Sequence, residues 1–272
     1  MTWIAHKIVL RLLTPLHIGA AKLGNVQRTR PYVTGKVLWG ALTARLTRDH
    51  PGFSGDYRKV GDRVKEELAF SYFYPAVGDQ VDLWPWKAPD AFAWRYLGSY
   101  ASTALDYSRN TAEEGSLHET EFIAPTTRDS RPVFLVGYIF EQEGCTLPWQ
   151  EALPRLQIGG ERTYGWGRVA LHAATPSTES LFGCYELDLL GTRPAVTLTE
   201  NDSLLAHTRA HGAQAIPARG RLTPLVGRET RAANAHGRHL STAVICWEPG
   251  SIAGSVGQAA IGPYGIWEKA EA

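Results

Sequence analysis

The chain has 272 residues, 44% hydrophobic and 20% charged, with a formal net charge of +1. This composition fits one large or two ordinary globular domains and excludes a disordered or fibrous chain. No apolar run is long enough for a membrane-spanning helix, and three separated cysteines, Cys145, Cys184 and Cys246, speak against a zinc site or a disulfide framework. The stretch MTWIAHKIVLRLL carries charges inside its apolar run and lacks a small-residue cleavage site, so it reads as a strand and not as a signal peptide. These features predict a cytoplasmic protein without membrane contact.

In chain order, residues 3–16 are apolar and rich in β-formers, which predicts a first strand stopped by Pro15. His17-Ile18-Gly19 turns out of it into a basic loop over 20–31. Thr34 is placed to cap a helix over 36–48, and 56–69 shows a second helical spacing through Val60, Val64 and Leu68. Residues 70–74 read as a strand. Residues 77–121, with Trp84, Trp86 and Trp94, read as an irregular insertion or a long hairpin whose aromatics pack locally. Strands follow over 119–125 and 132–141, then a short helix over 148–155, a glycine loop and a strand over 167–173. A Pro/Ser/Thr stretch at 174–179 suits a boundary, and strands recur over 183–190 and 240–248 before a glycine-rich segment at 254–265.

The order strand, helix, strand, strand, helix, strand predicts an α+β, ferredoxin-like (RRM-like) domain over 1–175, with a smaller β-rich domain over 180–272. Such a domain offers an open sheet face on which single-stranded bases can stack.

The net charge hides a segregation. Residues 1–48 hold eight Lys/Arg and no acid, and 203–239 hold six arginines and four histidines against the single acid Glu229. A near-neutral chain arranged this way can carry a positive groove, although charge runs are more often solvated faces.

The segment LQIGGERTYGWGRV, residues 156–169, is the most informative. Gly159, Gly160, Gly165 and Gly167 permit close backbone approach and an amide nest for phosphate oxygens. Arg162 and Arg168 supply forked phosphate donors, and Tyr164 or Trp166 supplies a face for an unstacked base. The competing reading is a tight turn with Trp166 buried beneath it, and Glu161 should point away or brace an arginine. The pattern lacks the Lys-Ser/Thr ending of a P-loop, and it runs from helix into strand, the reverse of a dinucleotide fingerprint. Together these point to RNA and to no cofactor.

Arg28, Arg30 and Lys36 form a second candidate contact, at the start of the first helix. A third patch comprises Arg219, Arg221, Arg228 and Arg231 with His236, Arg238 and His239; it would extend the groove or face another subunit. His17 could act as a general base on a 2′-hydroxyl, but no partner set accompanies it beyond Tyr32 and Lys36, and a polar turn residue is the simpler reading. His207 and His211 have the i, i+4 spacing of a helical metal site, which Gly212 and the missing acids oppose. Asp49 and Asp106 are lone acids that nothing singles out. The residues therefore nominate no catalytic group and no metal.

Three segments carry a family resemblance: LTPLHIG at 13–19, RPYVTGKVLWGAL at 30–42 and IGGERTYGWGRV at 158–169. Together they resemble the CRISPR-associated RAMP superfamily of repeat-associated RNA-binding proteins. Within it the chain is most similar to the fifth Cas family, in type III-D-like or type VII-like systems, through FSYFYPA at 70–76, FIAPTTRDSRPVFLVGYI at 122–139, VGRET at 226–230 and VICWEPGS at 244–251. The resemblance implies a non-catalytic subunit that grips the 5′ handle of the guide RNA (crRNA) and caps a ribonucleoprotein effector. Its partners would be that RNA and other Cas subunits: a backbone RAMP subunit and a nuclease subunit. The alternatives are an endoribonuclease that matures guide precursors and a backbone subunit that repeats along the spacer.

Overall fold

The structure is a computed structural model that describes residues 1–53, 55–177, 180–229 and 237–270. Arg231 and His236, two members of the third basic patch, lie outside the described residues. No described helix is long and apolar enough to cross a membrane.

Strand β1 (Trp3–Leu12) is followed by β2 (Gly19–Leu23) and β3 (Val26–Thr29). The expected basic loop over 20–31 is thus a hairpin. Leu23 pairs with Val26 across Gly24 and Asn25, and Gly24 takes the left-handed backbone (φ +58°) that a two-residue turn requires. Helix α1 (Gly35–Asp49) starts after Thr34, whose side chain makes no capping bond, whereas Asp56 caps α2 (Tyr57–Glu67) through the amides of Arg58 and Lys59. Next come β4 (Leu68–Phe70), β5 (Tyr74–Val77) and β6 (Gln80–Val81).

The insertion contains a helix the sequence did not reveal, α3 (Pro89–Tyr96), opened by a proline at its first turn. It also contains the long hairpin of β7 (Leu97–Ser102) and β10 (His118–Ile123), with β8 (Leu105–Asp106) and β9 (Thr111–Ala112) at its tip. Strand β11 (Phe134–Gln142), helix α4 (Trp149–Ala152) and strand β12 (Val169–Pro176) complete the first part. Residues 174–176 are the last three of β12 and pair with His6–Ile8, so the expected boundary at 174 begins inside a strand.

The first sheet runs β12-β1-β11-β5-β6, with β4 also paired to β11. Taking β4 and β5 as one broken strand, the spatial order is fourth, first, third, second, which is the ferredoxin-like arrangement. On one face α1, α2 and α4 bury Ile8, Leu10, Leu42, Leu46, Val60 and Trp149. The last turn of α1 is clamped there: Asp49 accepts from Arg45 and is bridged to Arg155.

The other face meets a second, eight-stranded sheet built from segments between Ser180 and Lys269. Trp3 and Ala5 of β1 and Tyr138 and Phe140 of β11 share one buried core with Val196, Ala259 and Trp267. Period-2 alternation therefore puts apolar residues on both faces of β1, which explains its near-continuous apolar reading. The open sheet face expected of this fold is covered over that half. Its remainder carries Arg11, Phe134 and His172, the last two in ring contact at 5.0 Å.

A third sheet, β2-β3-β10-β7, forms an arm beside the first.

Candidate nucleic-acid interface

The glycine loop is built inward before it is built outward. Gly159 (φ +81°) and Gly167 (φ +76°) both occupy the left-handed region. A Cβ on Gly159 would lie 2.5 Å from the His17 carbonyl oxygen, and one on Gly167 would collide with the Ile158 carbonyl. Both positions require glycine for backbone approach within the protein. The amides follow the same logic: Gly160 donates to the His17 carbonyl (2.8 Å), Gly165 to Arg162 (3.0 Å) and Gly167 to Pro15 (2.7 Å). These three glycine amides are thus already bonded and do not form the free phosphate nest that the sequence suggests. Gln157 closes the loop from within, its amide bonding the carbonyls of Arg162 and Trp166.

What the loop presents outward is side chains. Arg162, Tyr164 and Arg168 are exposed, Tyr164 at 79%. Neither arginine forms an ion pair among the described residues. Trp166 is half-buried and sits edge-on to Phe122 of β10 at 5.2 Å and to Tyr100 of β7 at 6.4 Å. Of the two aromatics, Tyr164 is the free face and Trp166 is the joint between loop and arm. The Glu161 carbonyl accepts from the amides of Tyr164 and Trp166, so this residue serves the loop through its backbone.

His17 joins the loop to the arm and to the first strand. Its Nδ1 lies 2.7 Å from the Glu121 carbonyl oxygen, which can only accept. Nδ1 therefore carries a proton, which in the single-proton tautomer leaves the lone pair on Nε2. The Glu121 carboxylate, on the same strand, accepts from Arg28 (3.1 Å) and from the Thr29 amide (2.9 Å). Arg28 is thus paired, with half of its side chain exposed.

Beyond buried His17, Ile18 and Gly19 line a cleft between the start of α1 and the second sheet. Arg30, Lys36 and Arg228 converge on it. Lys36 Nζ is held by Glu229 (3.2 Å), by Ser241 (3.4 Å) and by the ring of Tyr264. Arg228 is exposed and donates to the Gly237 carbonyl. Arg30 Nη1 instead meets two neutral acceptors, the Tyr32 hydroxyl (3.5 Å) and His207 Nε2 (3.4 Å).

The structure thus links buried His17 to the loop and, through Glu121, to Arg28, and it gathers Arg30, Lys36 and Arg228 around the cleft. Arg219 bonds Asn201 and Arg221 pairs with Glu248, so these two are partnered within the second sheet's own loops.

Sequence reasoning noticed His207 only for a metal-ligand spacing that it rejected, and it missed Tyr72. His207 is fully buried, and its Nδ1 contacts the Tyr72 hydroxyl at 2.7 Å, while the segment after it is a short strand and not a helix. The i, i+4 relation to His211 is therefore not realised. Burial, with Arg30 beside it, holds the His207 imidazole down at about 3, so the ring is neutral. The lone acids also have structural partners. Asp49 is held below the usual carboxylate range by the Arg45 hydrogen bond, and Asp106 by Ser108 in a turn at the arm tip.

A model of the RAMP superfamily matches residues 9–170. Among solved structures, a chain of the type III-B Cmr-beta bound to cognate target RNA and AMPPnP is similar over 91% of this chain and 85% of its own. Its identity is 12% and its TM-score 0.52, a likeness of fold. A chain of the same assembly bound to cognate target RNA covers 61% of this chain and 96% of its own, at 13% identity and a TM-score of 0.42. No curated protein matches the sequence.

Proposed function

The chain belongs to the RAMP superfamily, and on that footing we propose that it is a non-catalytic RNA-binding subunit of a CRISPR-Cas ribonucleoprotein effector. It grips the 5′ handle of the guide RNA and caps one end of the complex, as a short member of the fifth Cas family from a type III-D-like or type VII-like system. It works as two units divided near residues 175–180, with partner Cas subunits docking around the bound RNA. A type III-B Cmr-beta chain of similar fold comes from an assembly solved with cognate target RNA and AMPPnP.

The observation that carries this reading is the loop's outward face. Two exposed arginines without carboxylate partners among the described residues flank an exposed tyrosine, on a loop whose Gly160, Gly165 and Gly167 amides are already bonded. Such a surface costs little to keep in water and gains phosphate contacts and a stacked base when a single strand arrives. Its test is the double variant Arg162→Ala/Arg168→Ala. Each exposed ion pair is worth about 0.5–1 kcal/mol, so handle RNA should bind about 5- to 30-fold more weakly. Unchanged guide-RNA affinity in a folded double variant would remove the loop from the interface.

One geometry favours a second reading. The fixed tautomer of His17 leaves Nε2 as a proton acceptor, which is what an endoribonuclease needs to deprotonate a 2′-hydroxyl. Metal-independent cleavage of repeat RNA, abolished by His17→Ala, would favour that enzyme over the binding subunit.

A further inference from the structure

The cleft between α1 and the second sheet encloses about 380 Å³, within the roughly 300–1,000 Å³ range of small-ligand sites. Its walls come from both parts of the chain: Ile18, Arg30 and Lys36 on one side, Gly227, Ser241 and Tyr264 on the other. The first part alone would leave it an open shelf. Three cations reach the cavity against one carboxylate, Glu229, and that carboxylate is 3.2 Å from Lys36.

Arg30 is the unusual member. It is partly buried, and among the described residues no carboxylate stands within ion-pair distance of it. Its two side-chain partners are neutral, and their arrangement enforces that. A guanidinium only donates, so His207 Nε2 must accept and Nδ1 must carry the proton toward the Tyr72 oxygen. A second proton on His207 would put two cations 3.4 Å apart. The histidine and Tyr72 therefore fix the guanidinium in place without neutralising it. A partly buried cation without a counter-ion gains when an anion arrives.

We infer that the cleft is a pocket for one phosphorylated nucleoside, with its phosphate on Arg30 and its base against the apolar wall of Val37, Leu225 and Ile266. His207 and Tyr72 are positioning residues that aim Arg30. The nucleotide can come from an RNA strand crossing the cleft or from a free nucleoside monophosphate; only the first source rests on the RNA-binding reading above.

The test uses the full chain, a labelled short single-stranded RNA and AMP as separate probes. Two variants act on the pocket by different routes. Arg30→Gln keeps a donor and removes the charge. Val226→Trp, at an exposed rim position (51%), fills the mouth. With a strand in the pocket, both variants lower RNA affinity at least fivefold, and Arg30→Gln alone also flattens the logarithmic salt slope by roughly 0.7, the value for one single-strand phosphate contact. If wild type binds AMP and not RNA, and both variants lose AMP, the pocket stands and the RNA-binding reading falls. If wild type binds RNA and both variants bind it equally well, the pocket is overturned and the RNA-binding reading survives. Binding of neither probe to wild type also overturns the pocket. Unaltered thermal melting of Val226→Trp guards against misfolding, and its AMP affinity is the readout that does not depend on charge.

Discussion

Acidification tests the buried bridge between the two sheets. His207 is fully buried and its folded-state value is pushed down to about 3, whereas an unfolded histidine titrates near 6.5. As the pH falls below that unfolded value, the unfolded chain takes a proton that the folded chain refuses. Stability is therefore lost on acidification, from about pH 6.5 down to the folded value near 3. At about pH 5 the gap is roughly 1.5 pH units, or about 2 kcal/mol. For a chain of this size that is a fall of about 4–8 °C in Tm. The control is His207→Phe, which removes the titration: whatever its offset at neutral pH, its Tm should fall less on acidification by that amount. The assay is a set of melting curves between about pH 7 and pH 5, with the His207 imidazole followed by NMR. Parallel Tm profiles for the two proteins, or an imidazole midpoint near 6.5, would refute the buried, neutral bridge.

Gly167→Ala places a Cβ against the Ile158 carbonyl at φ +76°. It should cost about 2 kcal/mol or more, read as a lower Tm, and weaken RNA binding by displacing Arg168; a neutral substitution would show that the loop backbone adapts. Asp49→Asn should destabilise the wild-type fold by about 2 kcal/mol at neutral pH, the worth of a hydrogen bond to a charged group. Because Arg45 lowers the folded carboxyl, its contribution is complete above the unfolded value near 4 and vanishes as pH falls through the folded value. The gap between the two proteins should accordingly close below about pH 4, as denaturation midpoints would show. Arg28→Ala, whose arginine is already paired with Glu121, should weaken RNA binding less than removal of unpaired Arg162. The reverse order in a fluorescence-anisotropy titration would mean that the Glu121 pair opens on binding.

Local patterns carried much of this fold. The spacing of Val60 and Val64, the capping Asp56 and the apolar runs of β1 and β11 each specify an element with its neighbours a few residues away. The hairpin over 19–29 escaped because its strands are short and mostly solvent-exposed, with no buried alternation, so only the Gly24-Asn25 turn marked it. The second sheet was expected as a β-rich region, but its pairing escaped for a different reason. Its strands are only two to five residues long, and their pairing is set by burial against Trp3, Tyr138 and Phe140, contacts separated by many tens of residues. The site divides the same way. Arg162, Arg168 and Tyr164 were legible because one loop holds them all. His207 was not, since its role depends on Tyr72 and Arg30 arriving from the other sheet. The loop glycines drew attention as ligand-facing groups, whereas the structure uses Gly159 and Gly167 to seat the loop on His17 and Ile158.

The ring of Trp166 has a mechanical consequence. It is the stud that fastens the glycine loop to the base of the arm, through Phe122 and Tyr100. The arm tip, with Tyr107 90% exposed, lies at the far end of the same two strands. A neighbouring molecule that pulls on the tip applies torque at that stud, and the first parts to feel it are Tyr164 and the arginines on either side. Loop and arm thus share one aromatic joint, so a displaced arm is felt at the loop through Trp166.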